Sequence, residues 1–109
     1  KNIRVARKIF MNFDEYFVWP SLKNEIVSQK GFCHGLSSHF GILANGTVVP
    51  CCLDLDANIN LGDINKSSVR EILQGQRAKN MIDGFKNRVL KEELCQKCEY
   101  RTRFDNFEI

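Results

Sequence analysis

Apolar runs on both sides of Asn45-Gly46 give the clearest structural signal along the chain. A two-residue hairpin turn needs positive φ at both positions, which asparagine and glycine tolerate. Residues 38–52 are therefore predicted to form a β-hairpin. With a two-residue loop, alternate residues of the two strands share one apolar face. Those residues are Phe40, Ile42, Val49 and Cys51.

Helical spacing dominates the region after the hairpin. Ser68 and Glu71 have the Ser-x-x-Glu spacing of a capping box, which predicts a short helix that ends near Gly75. A second helix of about ten residues is predicted from apolar residues that recur at helical spacing. They are Ala78, Met81, Ile82 and Phe85. We expect this helix to lie over the apolar face of the hairpin. Val89, Leu90 and Leu94 are expected to anchor the chain that follows.

The first thirty residues carry a weaker pattern of scattered aromatic side chains. Asp14 is a possible N-cap and predicts a short helix. A second amphipathic turn is expected through Leu22, Ile26 and Val27. Because the chain opens with Lys1, we interpret residues 1–30 as a linker from a missing upstream domain and residues 31–109 as the folded module. Aromatic residues of the linker are expected to pack against that upstream domain.

Composition limits the class of protein. A chain of 109 residues that is 43% apolar can form one small domain, and the predicted elements indicate a loop-rich α+β fold with two or three short helices. The 16 basic and 13 acidic residues are interspersed, so nucleic-acid binding is not indicated. No apolar stretch approaches the roughly 18 residues of a membrane helix. The sequence is typical of a cytoplasmic protein.

Cysteine spacing supplies the candidate chemistry. Cys95 and Cys98 are two residues apart, so one tight turn can present both thiolates to a metal centre. Cys33 precedes the hairpin and Cys51 ends it, so their sulfurs can converge at its open end. A single buried cysteine often serves only as a small apolar side chain in a protein core. The spacing of the set favours a metal site, and sulfur ligation suits both zinc and iron-sulfur clusters.

Other residues near these cysteines are also candidate ligands or acids. Cys52 is the main rival to Cys51, but adjacent strand residues face opposite sides, so we interpret it as a packing or half-exposed thiol. His34 and His39 could bind zinc, although histidines near a loop more often make surface hydrogen bonds. For Asp54 and Asp56 the favoured interpretation is turn formation and solvation.

The order of these motifs resembles one known family. Cys33, twelve residues, Gly46, four residues and Cys51 is similar to the signature that opens the SPASM and Twitch domains of radical S-adenosylmethionine enzymes. Leu61-Gly62-Asp63-Ile64, a helix that begins at a serine, and the Cys-x-x-Cys motif extend the resemblance over about residues 33–100. The resemblance implies one auxiliary [4Fe-4S] cluster that assists electron transfer and shapes the substrate pocket. Its implied ligands are Cys33, Cys51, Cys95 and Cys98.

Departures from the family pattern restrict this interpretation. Full SPASM domains place two further cysteines where this chain has Phe104 and Glu108, so a second cluster lacks ligands. The Cys-x-x-x-Cys-x-x-Cys motif is also absent, so the chain is not catalytic by itself. The resemblance implies that an upstream barrel binds S-adenosylmethionine and meets a peptide or small-molecule substrate.

Two other classes of protein compete with this interpretation. The main alternative is a stand-alone zinc-binding structural or interaction module. A thiol redox protein that uses Cys95 and Cys98 is disfavoured, because the βαβ context of that motif is missing.

Overall fold

Two small antiparallel sheets and three short helices form the protein, in a computed structural model that describes residues 2–14 and 16–105. The first sheet pairs β1 (Asn2–Ala6) with β2 (Ile9–Asn12). The second sheet has the order β3-β4-β5, with β3 at Gly41–Ile42, β4 at Thr47–Val49 and β5 at Gly62–Asp63. The helices are α1 (Val69–Leu73), α2 (Gln76–Lys86) and α3 (Glu93–Gln96), followed by a 3-10 helix at Tyr100–Phe104. The predicted α+β class is confirmed.

Local signals account for α1 and α2. The Ser68 hydroxyl accepts a hydrogen bond from the Glu71 backbone N–H at 3.2 Å, and the Glu71 carboxylate accepts one from the Ser68 N–H at 3.2 Å. This reciprocal capping box starts α1 as predicted. The apolar side of α2 is buried, including Ala78, Met81 and Phe85. Both predicted helices are confirmed.

The hydrophobic core lies between α2 and the chain segments that flank the central sheet. Its buried members are Phe32, Ile59, Met81, Phe85, Leu90 and Leu94. Among the described residues, this cluster takes no member from β3 or β4, although α2 was expected to cover the hairpin. The sheet instead contacts α1, where a Cβ atom on Gly62 would lie 3.0 Å from Ile72 Cγ1. Two of the three predicted anchors, Leu90 and Leu94, are confirmed, whereas Val89 is exposed.

The hairpin forms where it was predicted, but its register differs by one residue. Leu43 donates its N–H to the Thr47 carbonyl at 2.8 Å, which leaves a three-residue loop at 44–46. Only Gly46 of that loop has positive φ, at 95°, while the Asn45 side chain accepts the Thr47 N–H at 3.0 Å. This is a three-residue hairpin loop with glycine in its last position. The predicted two-residue loop was therefore wrong.

A one-residue change of register exchanges the two faces of a strand. Gly41 pairs with Val49 and Ile42 pairs with Val48. Ile42 is 46% exposed, whereas its cross-strand partner Val48 is fully buried in β4, the central strand of the sheet. The prediction that Ile42 belongs to a buried apolar face of the hairpin was therefore wrong.

The N-terminal segment folds differently from the prediction. Residues 2–12 form the β1–β2 hairpin, which the sequence analysis did not identify, and residues 16–29 contain no helix. Residues 16–29 lie against the segment that contains Gln96 and Lys97. The Val27 N–H donates to the Gln96 carbonyl at 2.8 Å, and Lys97 Nζ donates to the Leu22 carbonyl. These contacts satisfy backbone groups that a helix would have paired internally. The helix predicted from Asp14 was wrong.

None of the helices within residues 2–14 and 16–105 has the length and apolar content needed to cross a membrane.

Candidate metal centre

A cavity of about 520 Å³ has all five cysteines on its wall. Segments distant in the sequence meet there: the end of the hairpin, the chain around residue 33, and the turn from α3 to the 3-10 helix. Aromatic rings line much of the remaining wall. They belong to Phe17, Trp19, Tyr100 and Phe104, with the imidazoles of His34 and His39.

Core packing places the two cysteines on either side of the hairpin. Cys33 follows Phe32, a buried member of the core cluster. Gly35 brings the chain back beside Pro50, where an added Cβ would lie 3.5 Å from the Pro50 carbonyl oxygen and 3.8 Å from Cys33 Sγ. Cys51 comes directly after Pro50, so this close approach sets both thiols at the same end of the hairpin.

The short helix α3 places the other pair. Leu94 is buried in the core and holds the helix down, which points the adjacent Cys95 into the cavity. The Cys98 N–H donates to the Cys95 carbonyl at 3.3 Å and closes a tight turn. The Cys-x-x-Cys segment therefore presents both thiols to the same cavity, as its spacing predicts.

The four predicted ligand thiols influence one another electrostatically. Burial is the main cause that raises the pKa of each, to about 11 for Cys51 and well above the ordinary thiol value for Cys95. Negative charge on Cys33, Cys51 and Cys98 would raise the pKa of Cys95 further. Without a metal these thiols are protonated at neutral pH, so loading the site releases protons.

Backbone N–H groups point at three of the sulfurs. Gly35 donates to Cys33 Sγ at 3.4 Å. Hydrogen bonds from the backbone of Leu53 and Asp54 lower the pKa of Cys51, and those from Arg101 and Tyr100 lower the pKa of Cys98, in each case against the larger effect of burial. Such donors stabilise the thiolate form that a metal requires.

The other sequence candidates occupy different surroundings. Cys52 is exposed, although it also contributes to the cavity wall. His34 packs edge-on against Phe104 with ring centroids 4.8 Å apart, and His39 Nδ1 is 3.3 Å from the Ser38 hydroxyl. Phe104, at one of the two positions where the resemblance implies a further cysteine, lies on the cavity wall. Glu108 is outside the described residues.

Asp54 forms part of the loop that follows the hairpin. It is 1% exposed, and its two carboxylate oxygens accept the N–H groups of Asn58 and Ile59, both at 2.8 Å. The predicted turn-forming role is confirmed, but the expected solvation of Asp54 was wrong. Asp56 is exposed.

Sequence reasoning missed Arg101, which lines the cavity and is 1% exposed. Its Nε donates to the Cys95 carbonyl at 2.9 Å. Arginine is rarely fully buried, and no motif or periodicity pointed to this one. Its place three residues after Cys98 was the only available signal.

The predicted four-cysteine metal site is not present as a formed coordination site. Within residues 2–14 and 16–105, no three Cys, His, Asp or Glu side chains are grouped so that they could hold a metal ion. In a tetrahedral zinc site with Zn–S bonds near 2.3 Å, neighbouring sulfur atoms must lie about 3.8 Å from one another. The donor set nevertheless fits an iron-sulfur cluster chemically, because four soft thiols share one cavity with aromatic walls and a buried cation. The assignment of individual ligands stays a prediction.

Comparison with known proteins identifies the family. No curated protein and no solved structure matches the chain. The family model of SPASM, an iron-sulfur cluster-binding domain, matches residues 33–99. The match covers more than half of the chain, begins at Cys33 and ends one residue after Cys98. The chain therefore belongs to the SPASM family of iron-sulfur cluster-binding domains.

Proposed function

We propose that Cys33, Cys51, Cys95 and Cys98 hold one [4Fe-4S] cluster. The observation that carries this proposal is the span of the family match, which includes all four cysteines and ends just after the last. Four thiolates are the usual protein ligands of such a cluster. The shared cavity and the mutual effect on thiol pKa support the same set.

Cys52 is excluded from the proposed ligand set. Four cysteines are sufficient for one cluster, and Cys52 is the exposed member of the five. A second cluster is not proposed, because Phe104 stands at a position where a full SPASM domain has a cysteine.

We further propose that the chain is the auxiliary-cluster module of a radical S-adenosylmethionine enzyme. Its cluster would accept or supply an electron beside the active site, and the aromatic cavity wall would help shape the substrate pocket. The catalytic barrel would lie upstream and would bind S-adenosylmethionine and a peptide or small-molecule substrate. Exposed apolar residues of the N-terminal hairpin, such as Ile9 and Phe10, are consistent with a contact to that barrel. A cytoplasmic location suits free thiols and is part of this proposal.

Metal analysis of protein produced without oxygen tests the cluster assignment. After reconstitution with ferrous iron and sulfide, the chain should contain four irons and four acid-labile sulfides and show a Mössbauer spectrum of a [4Fe-4S] centre. A colourless protein with one zinc and no affinity for iron would favour the structural zinc module. Comparison with aerobically purified protein is needed, because zinc takes thiolate sites readily when a cluster is lost.

An electron-transfer role also predicts how the parent enzyme treats its substrate. Four thiolates satisfy all four corner irons, so no iron keeps a place for substrate, as in a closed metal site. Magnetic resonance of the reduced parent enzyme with isotopically labelled substrate should show no direct iron–substrate bond. Hyperfine coupling from a bound substrate nitrogen or oxygen would contradict the role and remove one cysteine from the ligand set.

A further inference from the structure

A buried arginine joins the Cys-x-x-Cys turn to the segment before Cys33. Arg101 Nε donates to the Cys95 carbonyl at 2.9 Å, and Nη2 donates to the Ser28 carbonyl at 3.3 Å. Nη1 lies 3.4 Å from the Asp105 carboxylate. All three nitrogens of the guanidinium group therefore have partners, which fixes its position in the wall of the cavity.

The fold leaves a space for this side chain at Gly31. A Cβ atom on Gly31 would lie 2.5 Å from Arg101 Nη1, which is closer than real Cβ contacts, and 3.2 Å from Arg101 Cζ. Gly31 also has φ of 156°, which disfavours other residues. The chain just before Cys33 is thus shaped around the guanidinium group.

The charge of Arg101 is only partly neutralised. Within the described part of the chain, it is the one charged side chain on the cavity wall. Its ion-pair partner Asp105 is 51% exposed, so water screens the carboxylate more than it screens the buried arginine. Arg101 lines the same cavity as the four thiols and is hydrogen-bonded to the backbone of one of them, Cys95. The charged side chain on the described wall of the cavity is therefore a cation, and its counter-charge is screened by water.

Reduction of a cluster in this cavity would add one negative charge. Four thiolates and a core of charge +2 give the oxidised site a net charge of −2, and one electron from a chemical reductant changes it to −3. A fixed positive charge stabilises the −3 state more than the −2 state. Burial strengthens this effect because the low local dielectric screens charges weakly.

We propose that Arg101 is a positioning residue that holds the Cys95 turn and, with its fixed charge, raises the reduction potential of the cluster. This inference rests on the proposed function, because it requires that the four cysteines bind a cluster. Nothing in the SPASM match itself extends to this residue, since the matched region ends at residue 99.

Redox titration of the reconstituted chain, followed by electron paramagnetic resonance, tests the proposal. Arg101→Gln removes the charge and keeps a polar side chain. We expect at least a tenfold change in the equilibrium towards the oxidised form, which is a fall of about 59 mV for a one-electron couple. Arg70→Gln is the matched control, because Arg70 is exposed on α1 and does not line the cavity. The reduction potential of the cluster in this variant should equal that of the wild type.

Two further variants separate charge from structural support. Arg101→Lys keeps the positive charge and loses the fork of donors. The reduction potential of its cluster should therefore lie close to that of the wild type, even if the melting temperature of the variant falls. Asp105→Asn removes the exposed counter-charge while Arg101 keeps its two carbonyl partners, so the potential should rise. This opposite sign cannot come from a general loss of structure, and it remains measurable if Arg101→Gln does not fold.

The outcomes distinguish this inference from the proposed function. Wild-type protein that binds no iron and sulfide would overturn both. A loaded wild type whose potential is unchanged in Arg101→Gln, or lowered in Asp105→Asn, would overturn the role of Arg101 alone. Equal falls in Arg101→Gln and Arg101→Lys would also overturn it, because the positive charge would then have no effect of its own.

Discussion

Trp19 donates its indole N–H to the Leu53 carbonyl oxygen at 3.0 Å, which joins the N-terminal segment to the loop that follows Cys51 and Cys52. Phe17 stacks on Trp19 and packs edge-on against Tyr100, with ring centroids 5.7 Å and 4.7 Å apart. These aromatic side chains form one wall of the cysteine cavity, although both Phe17 and Trp19 precede the region matched by the family. The N-terminal segment is therefore a structural part of the candidate metal centre.

The aromatic wall should protect a bound cluster from oxygen. In Trp19→Ala, loss of the ring and its hydrogen bond opens the cavity to solvent, so the cluster should decay several-fold faster in air than in the wild type. Decay of visible absorbance measures this rate. Trp19→Phe keeps most of the ring and should be intermediate, and Val18→Ala, at an exposed neighbouring position that does not line the cavity, should behave as the wild type. Equal rates in Trp19→Ala and wild type would exclude a protective role.

Single serine substitutions test the ligand set. Each substitution of Cys33, Cys51, Cys95 or Cys98 removes one soft thiolate, so we expect loss of most bound iron and sulfide after reconstitution. Cys52→Ser is the matched control and should retain the full cluster, because its thiol is exposed. Loss of iron in Cys52→Ser with full retention in Cys51→Ser would reverse the assignment of these two neighbours.

Removal of the cluster should destabilise the fold. A chain of 109 residues has a small core, and the proposed ligands come from segments far apart in the sequence. The apo form should therefore melt at a clearly lower temperature than the reconstituted form in differential scanning calorimetry. Equal melting temperatures for the two forms would remove the cluster from the stability of the domain.

Asp54 should be one of the most sensitive positions outside the cysteines. Its buried carboxylate accepts two backbone hydrogen bonds, and charge-assisted bonds of this kind contribute about 1.5–3 kcal/mol each. Asp54→Ala should lower the free energy of unfolding by about 3 kcal/mol in urea denaturation. The control Asp56→Ala, at an exposed position, should stay within about 0.5 kcal/mol. A similar loss in both variants would show that burial does not distinguish them.

The raised thiol pKa values predict how the apo form responds to alkaline pH. In the unfolded chain the thiols ionise near pH 8.5, whereas burial raises the pKa of Cys51 to about 11 and also raises that of Cys95. Between these values the folded state binds more protons than the unfolded state, so its stability falls as pH rises. The melting temperature of the metal-free protein should thus decrease from about pH 8.5 to pH 11. A Cys51→Ala variant should show a shallower decrease, and an unchanged slope would contradict the effect of burial on this thiol.

Elements with a complete local signal were predictable from the sequence. The capping box of Ser68 and Glu71 and the apolar spacing of Met81 and Phe85 define α1 and α2, because helix hydrogen bonds and caps join residues close in the chain. The order of the motifs along the chain also identifies the SPASM family. The two thiols of Cys95 and Cys98 face one cavity for the same local reason.

Tertiary contacts decided the remaining features. Asn45-Gly46 is compatible with two loop lengths, and the pairing of β4 with β5 accompanies the register that buries Val48. The segment around Trp19 has no strong periodicity, so its path depends on partners such as Leu53 that lie far along the chain. Burial of Arg101 likewise requires the space at Gly31 and the carbonyls of Cys95 and Ser28. The periodicity of the sequence predicts each helix or strand separately. Which polar groups are buried away from water depends instead on how segments distant in the sequence pack together.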